Sequence, residues 1–292
     1  MRYTDLHIDV ARFATDDFNP FHDRRRWQQL AGNPFGGPIV LGFQLTTRAL
    51  HETLLSHVDR ATEFRYVNIH VTFANAVGPD EPVAFEVKDA KVSADGAVLS
   101  HRIALRTPRG LALTGHIRFA HAPPTKSAPP VIPLSLNRLR DRMSVPGTEY
   151  FLKRKYMSTA NAKNFLLGCG IEPAVYIDEL ADHVDFMPMF PASLLSCALL
   201  ERGAHRGDDF LREPMVYSFH DIWLDRAATS QLRSNDTLNM LVSGGHGIAS
   251  AHTTRAKRAQ RTHHCVGYTG WGAEVFNAQI GLVPLSALGE GG

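Results

Sequence analysis

An aspartate and a histidine five positions apart, Asp17 and His22, bracket a turn in the stretch Phe13-Ala14-Thr15-Asp16-Asp17-Phe18-Asn19-Pro20-Phe21-His22-Asp23. Pro20 breaks any helix and pushes Asn19 out of the α region, so the pair sits on a turn where both side chains can face one pocket. A carboxylate beside an imidazole orients the ring and sets its basicity, which is what general acid–base chemistry requires. Taken singly, each residue has an ordinary structural role. Asp17 is a natural cap for the Asn19-Pro20 bend, and His22 a natural hydrogen-bonded turn histidine. The combination is what points to chemistry.

About fifteen residues on comes Phe35-Gly36-Gly37-Pro38-Ile39-Val40-Leu41-Gly42-Phe43. Its glycines and proline lead into a helix expected over 39–58, with Gly42 in the first turn. Free backbone N–H groups at a helix start, with the dipole behind them, suit a developing enolate oxygen. Gly42 has no side chain, so a ligand carbonyl can approach the backbone.

These two segments together resemble the MaoC-like (R)-specific enoyl-CoA hydratases and 3-hydroxyacyl-thioester dehydratases. That family shows Asp-x-Asn-Pro-x-His, then Pro-Ile-Ala/Val-His-Gly opening the central helix of a hotdog fold. The match from Asp17 to His22 is complete, and the likeness is strong over about residues 10–45. It implies a syn hydration of a trans-2-enoyl thioester, or its reverse, with no metal and no organic cofactor. Carried over by position, Asp17 and His22 activate the water that adds to the β carbon. Asn19 supports the catalytic loop, and the Gly42 amide polarises the thioester carbonyl.

The sequence departs from the family pattern in three places. Leu41 stands where the family has a histidine beside the helix glycine, at the substrate's edge. Asp23 follows His22 directly, where the family acid comes two positions after the histidine. Arg24-Arg25-Arg26 is an unusually basic run, and Arg24 and Arg25 are candidates to receive carrier phosphates.

The elements that must position these residues repeat. A short helix is expected over 5–16, the long helix over 39–58, and strands over 65–73, 82–93, 97–107 and 110–120. A proline-dense stretch, 123–148, reads as a linker. Beyond it a strand is expected over 149–157, helices over 159–168 and 191–203, and strands over 215–226, 236–243, 247–256 and 259–268. The offset between the halves is about 150 residues. The expectation is an α+β double hotdog, with 1–122 and 149–292 as two units, each a central helix wrapped by an antiparallel sheet. Residues 1–120 and 149–270 should superpose.

The second unit has no equivalent motif. Its helix opens with Met187-Pro188-Met189-Phe190-Pro191, and Cys197 lies in an apolar run, more a core residue than a nucleophile. This unit is expected to be a degenerate hotdog that shapes the acyl pocket. In His263-His264-Cys265, neighbours on a strand face opposite ways, which does not suit a shared metal. Arg255, Lys257, Arg258 and Arg261 form a basic cluster that suits a solvated edge or the anionic groups of CoA or a carrier protein.

The 292 residues are 44% hydrophobic and 21% charged, with a net charge of +2. A net charge that small does not argue for nucleic acid or membrane as the main partner, and neither is expected. Three dispersed cysteines fit reduced thiols and a cytoplasmic setting. Of the fifteen histidines, His7, His51, His57, His101 and His205 are expected at the surface. The leading expectation is a lyase acting on CoA- or carrier-bound acyl thioesters, with a homodimer of double hotdogs as the assembly the fold allows. The alternatives are a hotdog acyl-thioesterase and a non-catalytic acyl-thioester-binding protein.

Overall fold

The computed structural model describes residues 1–56, 63–123, 136–247 and 259–288. The chain begins with helix α1, Asp5–Thr15, whose start is closed by a capping box between Thr4 and His7. Asp16 ends it in the left-handed region at φ 52°. That reversal throws Asp17 back toward the protein, where its amide bonds the Arg12 carbonyl at 2.8 Å.

Helix α2, Gly42–Ser56, starts three residues later than its apolar pattern suggests. The approach to it is tied elsewhere, since the Ile39 carbonyl, which a helix begun there would use for its first bond, lies 2.7 Å from His22 Nδ1, and the Ile39 and Val40 amides bond the Phe21 and Val77 carbonyls. Five strands follow, β1 (Tyr66–Phe73), β2 (Ala84–Val87), β3 (Lys91–Val92), β4 (Val98–Thr107) and β5 (Gly110–Ala120). The stretch expected as one strand over 82–93 is therefore two short ones, which pair in turn with β4.

Of the expected linker over 123–148, residues 124–135 lie outside the described residues. From Leu136 onward the chain is anchored to the second half. A short strand β6, Met143–Ser144, pairs with β7, Phe151–Tyr156, and Arg154 donates to the carbonyls of Leu136 and Leu139. Helix α3, Thr159–Gly168, is capped by Ser158. The hairpin β8 (Ile177–Asp178) and β9 (His183–Val184) precedes the second central helix. That helix comes in two pieces, α4 (Phe190–Ser193) and α5 (Leu195–Arg206), and closes at Gly207 with φ 81°. Strands β10 (Met215–Asp225), β11 (Thr237–Val242), β12 (His246–Gly247), β13 (Arg261–Thr269) and β14 (Glu274–Pro284) complete the unit. The strand expected over 247–256 lies largely outside the described residues. The last strand, β14, lies beyond residue 270, where no element was expected. It packs Val275, Phe276, Ala278 and Ile280 into the core.

All these strands except β8 and β9 form one antiparallel sheet in the order β2-β4-β5-β1-β10-β14-β13-β11-β7-β6, with β3 on β4 and β12 on β13. The halves meet where β1 pairs with β10, Ile69 opposite Ile222, so neither leaves an open edge at the junction. One core runs across it, holding Leu50, Ile69 and Phe119 of the first half with Leu195, Ile222 and Phe276 of the second. This is the double hotdog, α+β, with α2 and α5 as the two wrapped helices. Among the described residues no helix is long and apolar enough to cross a membrane.

Two histidines expected at the surface are buried. His51 lies on the inner face of α2, its Nδ1 3.1 Å from the Tyr176 hydroxyl, and His101 is on an inward position of β4 with Nδ1 3.2 Å from the Lys88 carbonyl. Each finds a partner for Nδ1 in the interior, which a surface assignment from residue type overlooks. His7 is half-buried and His205 is exposed, while His57 lies outside the described residues.

Candidate active site

The turn after α1 is a single 3₁₀ turn, Pro20–His22, capped by the Asn19 side chain, which accepts from the Phe21 amide. Pro20 at the first position supplies a fixed φ where no N–H is needed. Arg12 of α1 ties the turn down, donating to the His22 carbonyl at 3.3 Å and to Asp23 at 3.1 Å. Burial works to raise the Asp23 carboxyl, but the Arg25 amide and the Arg12 guanidinium outweigh it, and its pKa lies below the ordinary range.

His22 Nδ1 is 2.7 Å from the Ile39 carbonyl. A carbonyl only accepts, so this bond places the proton on Nδ1 and leaves Nε2 with its lone pair when the ring is neutral. Nε2 is then turned toward Asp17, 3.8 Å from Oδ2. The other carboxylate oxygen, Oδ1, accepts from the Asn19 amide at 2.9 Å. Both side chains are buried, and the Ile39 contact links the pair to the segment that opens α2 three residues later.

The second half reaches into this centre. Ser196, in the first turn of α5, donates its hydroxyl to Asp17 Oδ2, and the Tyr217 hydroxyl of β10 lies 3.4 Å from Ser196 Oγ. Burial first, and the Asp17 charge second, push the Tyr217 hydroxyl far above its ordinary range, so it stays a donor. Ser196 was not visible as a site residue, because a serine in an apolar run signals nothing without knowing what it faces. Tyr217 was equally silent within its strand.

Gly42 is the first residue of α2, so its N–H has no acceptor within the helix. A Cβ there would stand 3.0 Å from Tyr217, 3.2 Å from Phe73 and 3.4 Å from His220. These three rings close round the glycine, which explains the residue choice by close approach. His220 is fully buried, and burial alone drives its imidazole down to about 3. Its Nδ1 is 3.3 Å from Thr46 Oγ1, while Thr46 donates to the Gly42 carbonyl at 2.9 Å. Among the described residues Nε2 of His220 has no hydrogen-bond partner.

Asn19, His22 and Gly42 line one cavity of 1630 Å³, and Asp17 stands directly behind His22. The structure thus brings Asp17, Asn19, His22 and Gly42 together. Leu41 is placed otherwise: its side chain is 1% exposed, turns into the hydrophobic core and does not line the cavity. Arg24 and Arg25 are exposed on the outer side of the turn, away from the cavity wall, and Arg24 pairs with Asp9 at 2.5 Å. Among the described residues the arginines that line the cavity are Arg202, Arg206, Arg212 and Arg261. Of the basic cluster around Arg261, residues Arg255, Lys257 and Arg258 lie outside the described residues.

At the corresponding opening of the second helix the side chains of Met187, Met189 and Phe190 fill the space. Cys197 is buried in α5, and burial pushes its thiol up to about 11, so it is no nucleophile at neutral pH.

Comparison with solved structures identifies the same architecture elsewhere. The chain is similar to a MaoC-domain protein dehydratase from Chloroflexus aurantiacus J-10-fl, with a TM-score of 0.63 and 12% identity over 97% of this chain and 92% of that one. A MaoC-like dehydratase matches with a TM-score of 0.58 and 12% identity, covering 97% and 95%. A conserved protein of Mycobacterium tuberculosis described as a double hotdog matches with a TM-score of 0.59 and 10% identity, covering 98% and 93%. No family model matches the sequence. No curated protein matches it either.

Proposed function

We propose that the chain is a cofactor-free hydro-lyase that hydrates trans-2-enoyl thioesters, or dehydrates (R)-3-hydroxyacyl thioesters, carried on CoA or on a carrier protein. The observation that supports this best is the His22–Asp17 pair, with Nε2 of a defined tautomer turned to Oδ2, next to the bare helix start at Gly42. The separation of 3.8 Å suits one water donating a hydrogen to each. In the hydration direction His22 and Asp17 take a proton from that water as its oxygen adds to the β carbon. The proton is then returned to the α carbon on the same face. In the reverse direction they remove the α proton and protonate the departing β-hydroxyl.

The Gly42 amide is the donor for the thioester oxygen, which gains charge as the enolate forms. A donor already aimed there, with the dipole of α2 behind it, stabilises that charge without reorganising. Ser196 holds the Asp17 carboxylate in place from the other half. The Asp-Phe-Asn-Pro-Phe-His motif and the structural likeness to MaoC dehydratases support the same reaction class.

Incubation of the purified protein with crotonyl-CoA tests this, following enoyl absorbance and free thiol together. Loss of the enoyl band without thiol release is the expected result. Thiol release marks a thioesterase instead, and no change with enoyl thioesters across a range of chain lengths, at any pH from acid to alkaline, removes the hydratase assignment.

A further inference from the structure

The cavity that reaches His22 does not end among apolar residues. It follows α5 past Leu199 and Leu200 to Arg202, a side chain 8% exposed that lines the same cavity. Among the described residues Arg202 makes no hydrogen bond and no ion pair. The nearest opposing charges, Asp208 and Glu149, act on it only through space, and Arg206 repels it. One guanidinium nitrogen packs against the bare backbone of Gly244, 3.3 Å from where a Cβ would stand, with a Glu149 carboxylate oxygen 3.9 Å from the same point. A guanidinium carries five N–H donors and always a charge, and here those donors face the solvent of the cavity with no protein acceptor among the described residues. Such a group facing a cavity calls for an anion from the ligand.

Distance along the helix selects which anion. Six residues separate Ser196, at the catalytic corner, from Arg202, a rise of about 9 Å. A pantetheine arm, two amides long, carries its phosphate well beyond that span. The more exposed Arg206, Arg212 and Arg261 line the same cavity and are better placed for a phosphate. The wall between the catalytic corner and Arg202 is apolar, with Leu199, Leu200 and Val216, which suits methylenes.

We propose that Arg202 pairs with a carboxylate at the far end of the acyl chain, so that the substrates are ω-carboxyacyl thioesters of medium length. The inference rests on the thioester reading of the site, but its test does not need turnover.

Octanoyl-CoA and octanedioyl-CoA, both saturated and unreactive toward hydration, are compared by calorimetry on the wild-type chain, on Arg202→Met and on Arg202→Lys. The carboxylated ester should bind the wild type roughly ten- to a hundredfold more tightly, the range of a charge-assisted hydrogen-bonded pair. Arg202→Met should erase that preference and Arg202→Lys keep part of it, with thermal melts confirming that each variant is folded. Should Arg202→Met not fold, the wild-type and lysine arms decide. The same pair as pantetheine thioesters, which lack the phosphates, should show the same preference. Equal affinity of the wild type for both esters overturns the proposal. So does a loss in Arg202→Met that is equal for both CoA esters and absent with pantetheine thioesters, because the anion is then a carrier phosphate. A carboxylate preference without hydration of octenedioyl-CoA sinks the hydratase reading and leaves this one standing.

Discussion

Ser196 donates a hydrogen bond to Asp17 across 179 residues of sequence and across the seam between the two halves. The proposed catalytic motif is contiguous in the first half, yet its carboxylate is held by a residue of the second. Replacing Ser196 with alanine leaves a buried carboxylate short of one donor. Hydrogen bonds to charged groups contribute about 1.5–3 kcal/mol, so turnover should fall roughly ten- to a hundredfold if that energy is lost in the transition state. The fall should appear in kcat with little change in KM. An unchanged kcat in a folded Ser196→Ala protein would show that the contact is packing alone.

The pair itself gives the sharpest outcome. Asp17→Asn and His22→Gln should each lower turnover by about 10²- to 10⁴-fold, the usual range for general acid–base groups. Both act on one proton transfer, so the double variant should be far from additive. A His22→Gln protein with full activity on its true substrate would exclude the mechanism.

Gly42 makes a prediction about stability as well as rate. A methyl there meets Tyr217 at 3.0 Å and Phe73 at 3.2 Å, two half-buried rings of the cavity wall that pack against the core. Overpacking of this kind costs about 1–3 kcal/mol, so Gly42→Ala should lower the melting temperature and also disturb the approach to the Gly42 amide. A variant with wild-type stability and rate would mean that the rings yield freely.

His220 sets a pH dependence of stability. Burial lowers its pKa from the ordinary 6.5 to about 3, so between those values the unfolded chain binds a proton that the folded one refuses. Stability from this group is therefore intact above pH 6.5, declines as pH falls below it, and is lost by about pH 3. The slope within that window approaches ~1.4 kcal/mol per pH unit. His220→Phe should flatten that part of the curve, read by denaturant titration at several pH values. Parallel wild-type and variant curves through the window would show that the buried ring is not responsible.

Much of this was legible in the sequence, and the remainder has physical reasons. The Asn19-Pro20 turn and the Asp17/His22 spacing are local chemistry, fixed by proline and by a side-chain cap, and local chemistry can be read along a chain. The long alternating runs of β1, β4 and β5 were equally plain. Ser196, Tyr217 and Arg202 were not, because each acquires its role from a neighbour far away in sequence. The start of α2 lies at Gly42 because the Ile39 carbonyl, which an earlier start would use, is taken by the His22 ring. Arg24 and Arg25 drew attention as a basic run, but a run of charge on a turn is what a solvated surface shows, and Arg24 finds Asp9 there. The strand β14 was missed altogether, although it lies at the centre of the sheet between β10 and β13.

The pairing of β1 with β10, continuous from Tyr66 opposite Asp225 to Thr72 opposite Phe219, has a consequence for how such a site can diverge. Two identical subunits meeting at that seam must place the same residue on both sides of it, and they lose the seam on dilution. Two unequal halves on one chain escape both constraints, since the partner is always present at a high effective concentration. One half can then specialise in proton transfer through Asp17 and His22. The other is free to supply Ser196, which holds the Asp17 carboxylate, and Arg202, the residue proposed to meet the acyl end. Division of labour within a single chain is thus built into the sheet that joins it.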